Sequence, residues 1–144
     1  MGVNGPGMTS MSGSQFLDTN VLAYVFDSQS PQKSAIAQTI LRAGGFVVSV
    51  QVLGELYVTL TRKLTSKVPD NVAAQVIQSL QVYPVVPITS TLISDAIQTS
   101  IVHQLSYWDS LIIEAAVTAG CTSLLTEDLT DGQTIKGVRI TNPF

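Results

Sequence analysis

The feature that most limits how this chain can fold is an alternation of short, unbroken apolar runs with longer amphipathic stretches. Runs such as Phe46-Val47-Val48 and Leu124-Leu125 are too short for helices and show no polar alternation. A strand with this character is covered on both faces, which is the situation inside a parallel sheet. Parallel neighbours need crossovers of about a dozen residues or more, usually helical, and the intervening segments have helical periodicity. The alternation therefore predicts an α/β domain, with a mostly parallel central sheet and helices on both of its faces.

Residues 14–18 form the first expected strand, ended by Asp18-Thr19-Asn20, and a helical stretch follows over 21–26. Ser30-Pro31 opens a second helix, with Ser as N-cap and Pro at the first position, running to Arg42 and stopping at Gly44-Gly45. After a strand over 46–48, Ser49 caps a helix over 50–64 whose apolar stripe is Leu53, Leu56, Tyr57, Leu60 and Leu64. Asp70 caps a helix to Gln81, 85–88 is a short strand bounded by prolines, and a helix spans 92–103. Ser106 opens one more helix ending at Gly120, and strands over 123–125 and 138–141 complete the pattern. Nothing repeats and no linker interrupts, so 15–144 is expected to be a single domain. Residues 1–14 are rich in Gly and Ser, carry no charge and have no apolar core. They read as a disordered leader or expression remnant rather than a signal peptide.

A chain of 144 residues can bury a core without disulfides. Its lone Cys121 has no internal partner and reads as a buried, inert thiol. With no apolar run of the roughly 18 residues that cross a bilayer, the expectation is a cytoplasmic protein with no membrane contact. Only 12% of residues are charged, against about 25% in typical soluble proteins, so where the acids fall is informative. No basic block or basic–aromatic alternation marks a high-affinity nucleic-acid binder. A single histidine, His103, near a helix end, leaves no Ser-His-Asp or Cys-His constellation elsewhere.

Four carboxylates stand out. Asp18 closes the first strand and Asp128 follows the 123–125 strand by three residues. Open parallel sheets build their sites outside the carboxyl ends of strands, where strand order reverses. Each acid also has an ordinary role available: Asp18 as a helix N-cap, Asp128 as a turn residue. Asp109 fits a capping box opened by Ser106, yet lies in an apolar helix where an uncompensated carboxylate is costly. It shares a face with Ile113 and Ala116, while Glu114 points the other way. Glu55 sits beside the apolar stripe, near Val52, Thr59 and Arg62, and taken alone is a solvated helix residue. Tyr107 and Trp108 read as core. Arg62, Lys63 and Lys67 either complement the dipole at a helix end or line a path for a polyanion.

The segments F-L-D-T-N-V-L-A-Y (16–24), S-V-Q-V-L-G-E-L (49–56), S-Y-W-D-S-L-I-I-E-A-A (106–116) and L-L-T-E-D-L (124–129) resemble, in order and spacing, the acidic motifs of PIN-domain nucleases. The likeness is greatest to the toxin ribonucleases of VapBC toxin–antitoxin systems, and G-V-R-I-T-N-P-F (137–144) fits it too. The resemblance covers 16–144. It implies a three-layer α/β/α sandwich and an endoribonuclease dependent on Mg²⁺ or Mn²⁺. It also implies an RNA substrate, a cognate antitoxin partner and a homodimer. Position by position, Asp18, Glu55, Asp109 and Asp128 match the acidic site, with Thr19, Asn20 and Thr126 as accessory polar residues and Asp131 at a variable position.

Those residue types suit the chemistry: clustered carboxylates repel one another, and a hard divalent cation reverses the balance. Asp18, Asp109 and Asp128 are the expected direct ligands, with Glu55 as ligand or as base through a bound water. Setting the four aside leaves six acids against seven Lys and Arg, a surface close to neutral. The competing expectation is an interaction module whose acidic pocket receives a basic partner peptide. A phosphotransfer domain fits less well, because an aspartyl-nucleophile enzyme would want a second Asp where Asn20 stands.

Overall fold

The computed structural model describes residues 14–144, so the leader expected over 1–14 lies, apart from Ser14, outside the described residues. Strand β1 (Gln15–Leu17) leads into helix α1 (Thr19–Ala23) and a 3₁₀ turn (Tyr24–Phe26), then α2 (Pro31–Ala43) and β2 (Phe46–Ser49). Helix α3 (Val50–Val58) continues as a π turn (Thr59–Lys63), followed by α4 (Asp70–Leu80), β3 (Val85–Val86), α5 (Ser90–His103) and α6 (Tyr107–Thr118). Strands β4 (Ser123–Leu125), β5 (Thr134–Ile135) and β6 (Val138–Thr141) close the sequence of elements.

The sheet order is β3-β2-β1-β4-β6-β5, parallel throughout except where β5 pairs antiparallel with β6. From β1 the chain steps outward through β2 to β3, then returns across the sheet to enter β4 on the other side of β1. Right-handed crossovers in opposite directions put their helices on opposite faces. One layer is therefore α1 to α4, and the other is α5 packed on α6, with α6 against β2, β4 and β6. The result is the expected three-layer α/β/α sandwich. Its central row is Phe16, Val47, Leu124 and Ile140, adjacent in register and all buried. Each such side chain contributes about 1.5–3 kcal/mol through removal from water.

Three local expectations are corrected, and a fourth holds in position only. Ser30 occupies the N-cap position of α2 but makes no side-chain cap bond. Asp70 is the first residue of α4 rather than its cap, and its carboxylate instead accepts from Arg62 at 3.3 Å. The 50–64 helix is not uniformly α-helical: Leu64 N donates to Thr59 O across five residues at 3.1 Å. Within that turn, the Thr61 hydroxyl donates to Tyr57 O at 2.8 Å, a side-chain bond that competes with the helical ladder. Trp108, expected in the core, is 62% exposed, while Tyr107 packs against Leu92, Ala96 and Leu111. Strand β5 went unread because its hairpin turn is Lys136-Gly137, both at positive φ (52° and 81°), where Asn-Gly or Asp-Gly is the usual signal. Cys121 is buried as expected, and burial pushes its thiol up to about 11. Among the described residues, no helix is long and apolar enough to cross a membrane.

Candidate active site

The strand order reverses between β1 and β4, so the loops leaving these two strands flank one crevice. Asp18 N donates to Leu125 O at 3.0 Å, extending the β1–β4 ladder, and Thr126 N donates to Thr141 O at 3.0 Å, fixing the next residue after β4. Asp18 is buried and is held at both oxygens. Its Oδ1 accepts from Thr19 N at 2.7 Å, so the N-cap role is real, and its Oδ2 accepts from Thr126 Oγ1 at 2.8 Å. The Thr126 hydroxyl, itself fully buried, also accepts from Asn20 Nδ2 at 3.2 Å and from Asp128 N at 3.1 Å. One donor and two lone pairs are all a hydroxyl has, and each is used.

Asn20 Nδ2 reaches on to Asp128 Oδ2 at 3.0 Å, and Asn20 Oδ1 accepts from Glu127 N at 3.4 Å. Across the crevice, Thr19 Oγ1 donates to Glu55 Oε1 at 2.8 Å. Glu55 Oε2 accepts from Gln51 Nε2 at 3.1 Å, one helical turn earlier, and the same amide nitrogen reaches Trp108 O at 3.3 Å. Both of those partners are acceptors, which fixes the orientation of the buried Gln51 amide. Its Oε1 has no partner among the described residues.

Burial, opposed by the Thr126 and Thr19 bonds and reinforced by the negative charges of Asp128 and Glu55, pushes the Asp18 carboxyl up to about 6. Asp109, whose backbone N–H is capped by Ser106 at 3.0 Å, is raised in the same direction. Burial is the largest cause there, opposed by Ser106, and Asp128 and Glu55 add to it. Asp18 and Asp109, 91 positions apart by number, thus sense the same two like-charged neighbours. Asp131 stands apart, its carboxylate accepting from Asn142 N at 2.8 Å.

Three residues at this rim escaped sequence reading. Gln51 could have been found as the residue four before Glu55 on the inner side of α3. Lys33 and Tyr24 could not, since their partner Glu127 lies about a hundred residues away in sequence: Lys33 Nζ donates to Glu127 Oε2 at 2.9 Å, and the Tyr24 hydroxyl donates to Glu127. A groove of about 600 Å³ has Glu55, Asp128, Tyr24, Asp27, Thr59 and Lys63 among its lining residues. Arg62 and Lys67 are not among its lining residues.

Among the described residues, no three Asp, Glu, His or Cys side chains stand close enough to enclose a metal ion. The donor chemistry nevertheless suits one. The groups at the crevice are oxygens, the ligands that Mg²⁺ prefers; burial raises Asp18 and Asp109 most, and the like-charge repulsion that adds to it is of the kind a divalent cation cancels.

Comparison with known proteins bears on the whole arrangement. A search of curated protein sequences found no relative. Among solved structures, the chain is similar to the VapC20 toxin of Mycobacterium tuberculosis, described as cleaving the sarcin–ricin loop. Identity is 22% and the TM-score 0.64, over 77% of this chain and 87% of that one. It is also similar to a chain of a toxin–antitoxin complex from Klebsiella pneumoniae, at 20% identity and TM-score 0.68, over 91% and 98%. A third is FitAcB of Neisseria gonorrhoeae, at 18% identity and TM-score 0.63, over 90% and 97%. At these identities the likeness establishes the fold. The PIN-domain family model matches residues 16–130, a span running from β1 through all six helices to the loop that carries Asp128, and on that match the chain belongs to the PIN-domain family.

Proposed function

We propose that residues 15–144 form a single nuclease domain that hydrolyses RNA phosphodiester bonds with the help of Mg²⁺ or Mn²⁺, as the toxin of a toxin–antitoxin pair. What supports the reading is the hydrogen-bond network at the reversal of strand order: Thr126 and Asn20 tie Asp18 to Asp128, Thr19 ties the Asp18 turn to Glu55, and Gln51 links Glu55 to the backbone beside Asp109. Asp18, Asp109 and Asp128 would hold the ion, with Glu55 beside them. When bound, such an ion supplies positive charge to the scissile phosphate and lowers the pKa of an attacking water.

The remaining work belongs to the chain's own side chains. Thr126 fixes Asp18 and the backbone of Asp128 through one hydroxyl, and Asn20 holds the Asp128 carboxylate. Thr19 and Gln51 each take one oxygen of Glu55, orienting it to accept a proton from water. On this reading the protein works in the cytoplasm as a homodimer, restrained by its antitoxin. The toxin–antitoxin complex from Klebsiella pneumoniae, similar in fold, supports the partner.

The test is incubation of purified protein with total RNA, with Mg²⁺, with Mn²⁺ and with chelator, beside Asp18→Asn. Metal-dependent cleavage lost in the variant is expected. Cleavage that survives both chelation and Asp18→Asn would overturn the reading. A metal-replete protein that cuts nothing would favour the interaction module instead.

A further inference from the structure

We infer that Lys63 is a substrate-binding residue of the groove, holding a backbone phosphate of single-stranded RNA next to the scissile one, and that the π turn in α3 is what brings it there. The inference rests on the proposed function for the identity of the substrate.

Helical geometry states the problem. In an unbroken α-helix, seven residues complete two turns to within about 20°, so Arg62 would share a face with Glu55 while Lys63 would lie about 80° away. The sequence reading accordingly puts Arg62 beside Glu55. The π turn accommodates one extra residue between Thr59 and Leu64, as the bond from Leu64 N to Thr59 O records. Lys63 then takes the angular position an unbroken helix would give to Arg62. The structure agrees on both residues: Lys63 lines the groove with Glu55 and Asp128, and Arg62 turns to Asp70 at 3.3 Å. Inserted residues of this kind recur at functional sites because they re-aim side chains without breaking the helix.

The state of Lys63 fits the assignment. It is the single Lys or Arg lining the groove. Among the described residues its ammonium has no ion pair and no hydrogen bond. The other described lysines are engaged: Lys33 with Glu127, Lys136 with Glu114, Lys67 with Leu64 O. A groove of about 600 Å³ lies in the range of small-ligand pockets, about 300–1,000 Å³, which suits a nucleotide or two of single strand rather than a duplex. Lys63 lies about two helical turns beyond Glu55 and shares the groove with Glu55, Asp128 and Asp27, whose Oδ1 already accepts from Gln29 N at 3.0 Å, so it offers a phosphate a landing point beyond the acidic cluster. A chain of net charge −3 needs such a point, having no basic surface block to supply it.

The experiment compares Lys63→Ala with Arg62→Ala, adjacent substitutions that each remove one positive charge. Both are placed on the Asp18→Asn background in Mg²⁺, so that RNA stays intact, and binding of a fluorescent single-stranded RNA decamer is followed by anisotropy across salt concentrations. Losing one phosphate contact lowers the salt slope by about 0.7 and weakens binding about fivefold at 0.1 M salt. That result is expected for Lys63→Ala, with Lys63→Arg restoring most of the affinity and Arg62→Ala leaving slope and affinity unchanged. Equal losses in the two alanine variants, no loss with Lys63→Ala, or no RNA binding by the background protein would overturn the inference. Cleavage by protein without substitutions, measured alongside, separates the two levels: its absence sinks the proposed function, while the binding comparison still judges Lys63.

Discussion

Asp18 and Glu114 are both buried acids, 5% and 2% exposed, and the fold treats them in opposite ways. Glu114 lies on α6 beneath the β5–β6 hairpin, where Lys136 Nζ meets its two oxygens at 3.0 and 2.9 Å and Thr99 Oγ1 donates at 2.5 Å. Its charge is matched inside the molecule. Asp18 has two hydrogen-bond donors but no cation, and its charged neighbours are two more acids. Burying a carboxylate without counter-charge is expensive, and a fold that keeps one so placed is prepared for a positive charge from elsewhere. On the proposed function, the contrast separates an acid that ties the structure together from one that serves chemistry.

The sharpest way to break this contrast is to neutralise each acid in turn. Asp18→Asn should reduce metal-dependent RNA cleavage at least about a thousandfold, equivalent to about 4 kcal/mol in the barrier, while the protein remains folded. Glu114→Gln should leave cleavage per folded molecule within about twofold and lower the stability instead. Initial rates scaled to the folded fraction from circular dichroism decide it. A Glu114→Gln variant as inactive as Asp18→Asn would erase the distinction.

The next effect concerns pH. For the metal-free protein, the Asp18 carboxyl titrates at about 6 when folded, against an ordinary 3.8, so the native state keeps a proton that the unfolded chain has already lost. Its contribution to stability is intact below the ordinary value and is lost as pH rises through about 6, a decline of at most about 3 kcal/mol by pH 8. Urea denaturation in chelator from pH 4 to 8 should show the loss in the parent and a flatter profile in Asp18→Asn. Added Mg²⁺ should raise stability more at pH 8 than at pH 5. Parallel parent and variant profiles would mean that the buried charge is relieved in some other way.

Sequence reading recovers the layers and the acids unequally, for physical reasons. Strands such as 46–48 and 123–125 are legible because burial on both faces removes polar residues, and Ser49 and Ser106 are legible because both do cap their helices. Asp18 and Asp128 are legible as acids at strand ends. Family resemblance, not pattern, singles out Glu55, whose hydrogen-bonded setting depends on Thr19 from another element. The π turn is invisible to a helical wheel, which assumes a constant angle per residue, and so it is Lys63 rather than Arg62 that lines the groove with Glu55. Glu114 is placed correctly away from Asp109, but its partner Lys136 sits in a hairpin turn 22 residues on, and no local rule links the two.

Lys136→Met tests the matched side of the comparison. Removing one partner of a buried pair strands the other, and the usual cost is about 3–5 kcal/mol. Here the Lys136 side chain is 41% exposed, so water reaches part of the pair, and a loss of about 2 kcal/mol is expected. Urea denaturation at pH 7 measures it. A loss under about 0.5 kcal/mol would show that Glu114 does not depend on the lysine.

The smallest effect lies between the two extremes, at Glu127, next to Asp128. Burial alone would raise this carboxyl, but hydrogen bonds from Tyr24 and Lys33 outweigh it and hold it below its ordinary value. The pair is solvent-screened, with side chains 42% and 23% exposed, so Lys33→Met should lower stability only slightly, less than Lys136→Met does. Its pH dependence should have the opposite sign to that of Asp18. A carboxyl lowered on folding adds stability above its ordinary value of 4.5 and loses it as pH falls through the lowered one. The difference in stability between parent and Lys33→Met should therefore be largest near neutral pH and shrink in acid. Cleavage should fall no more than a few-fold, since Asn20 and Thr126 hold Asp128 and the backbone of its loop without help from the lysine. A loss of cleavage comparable to that of Asp18→Asn would move Lys33 from the frame of the site into its chemistry.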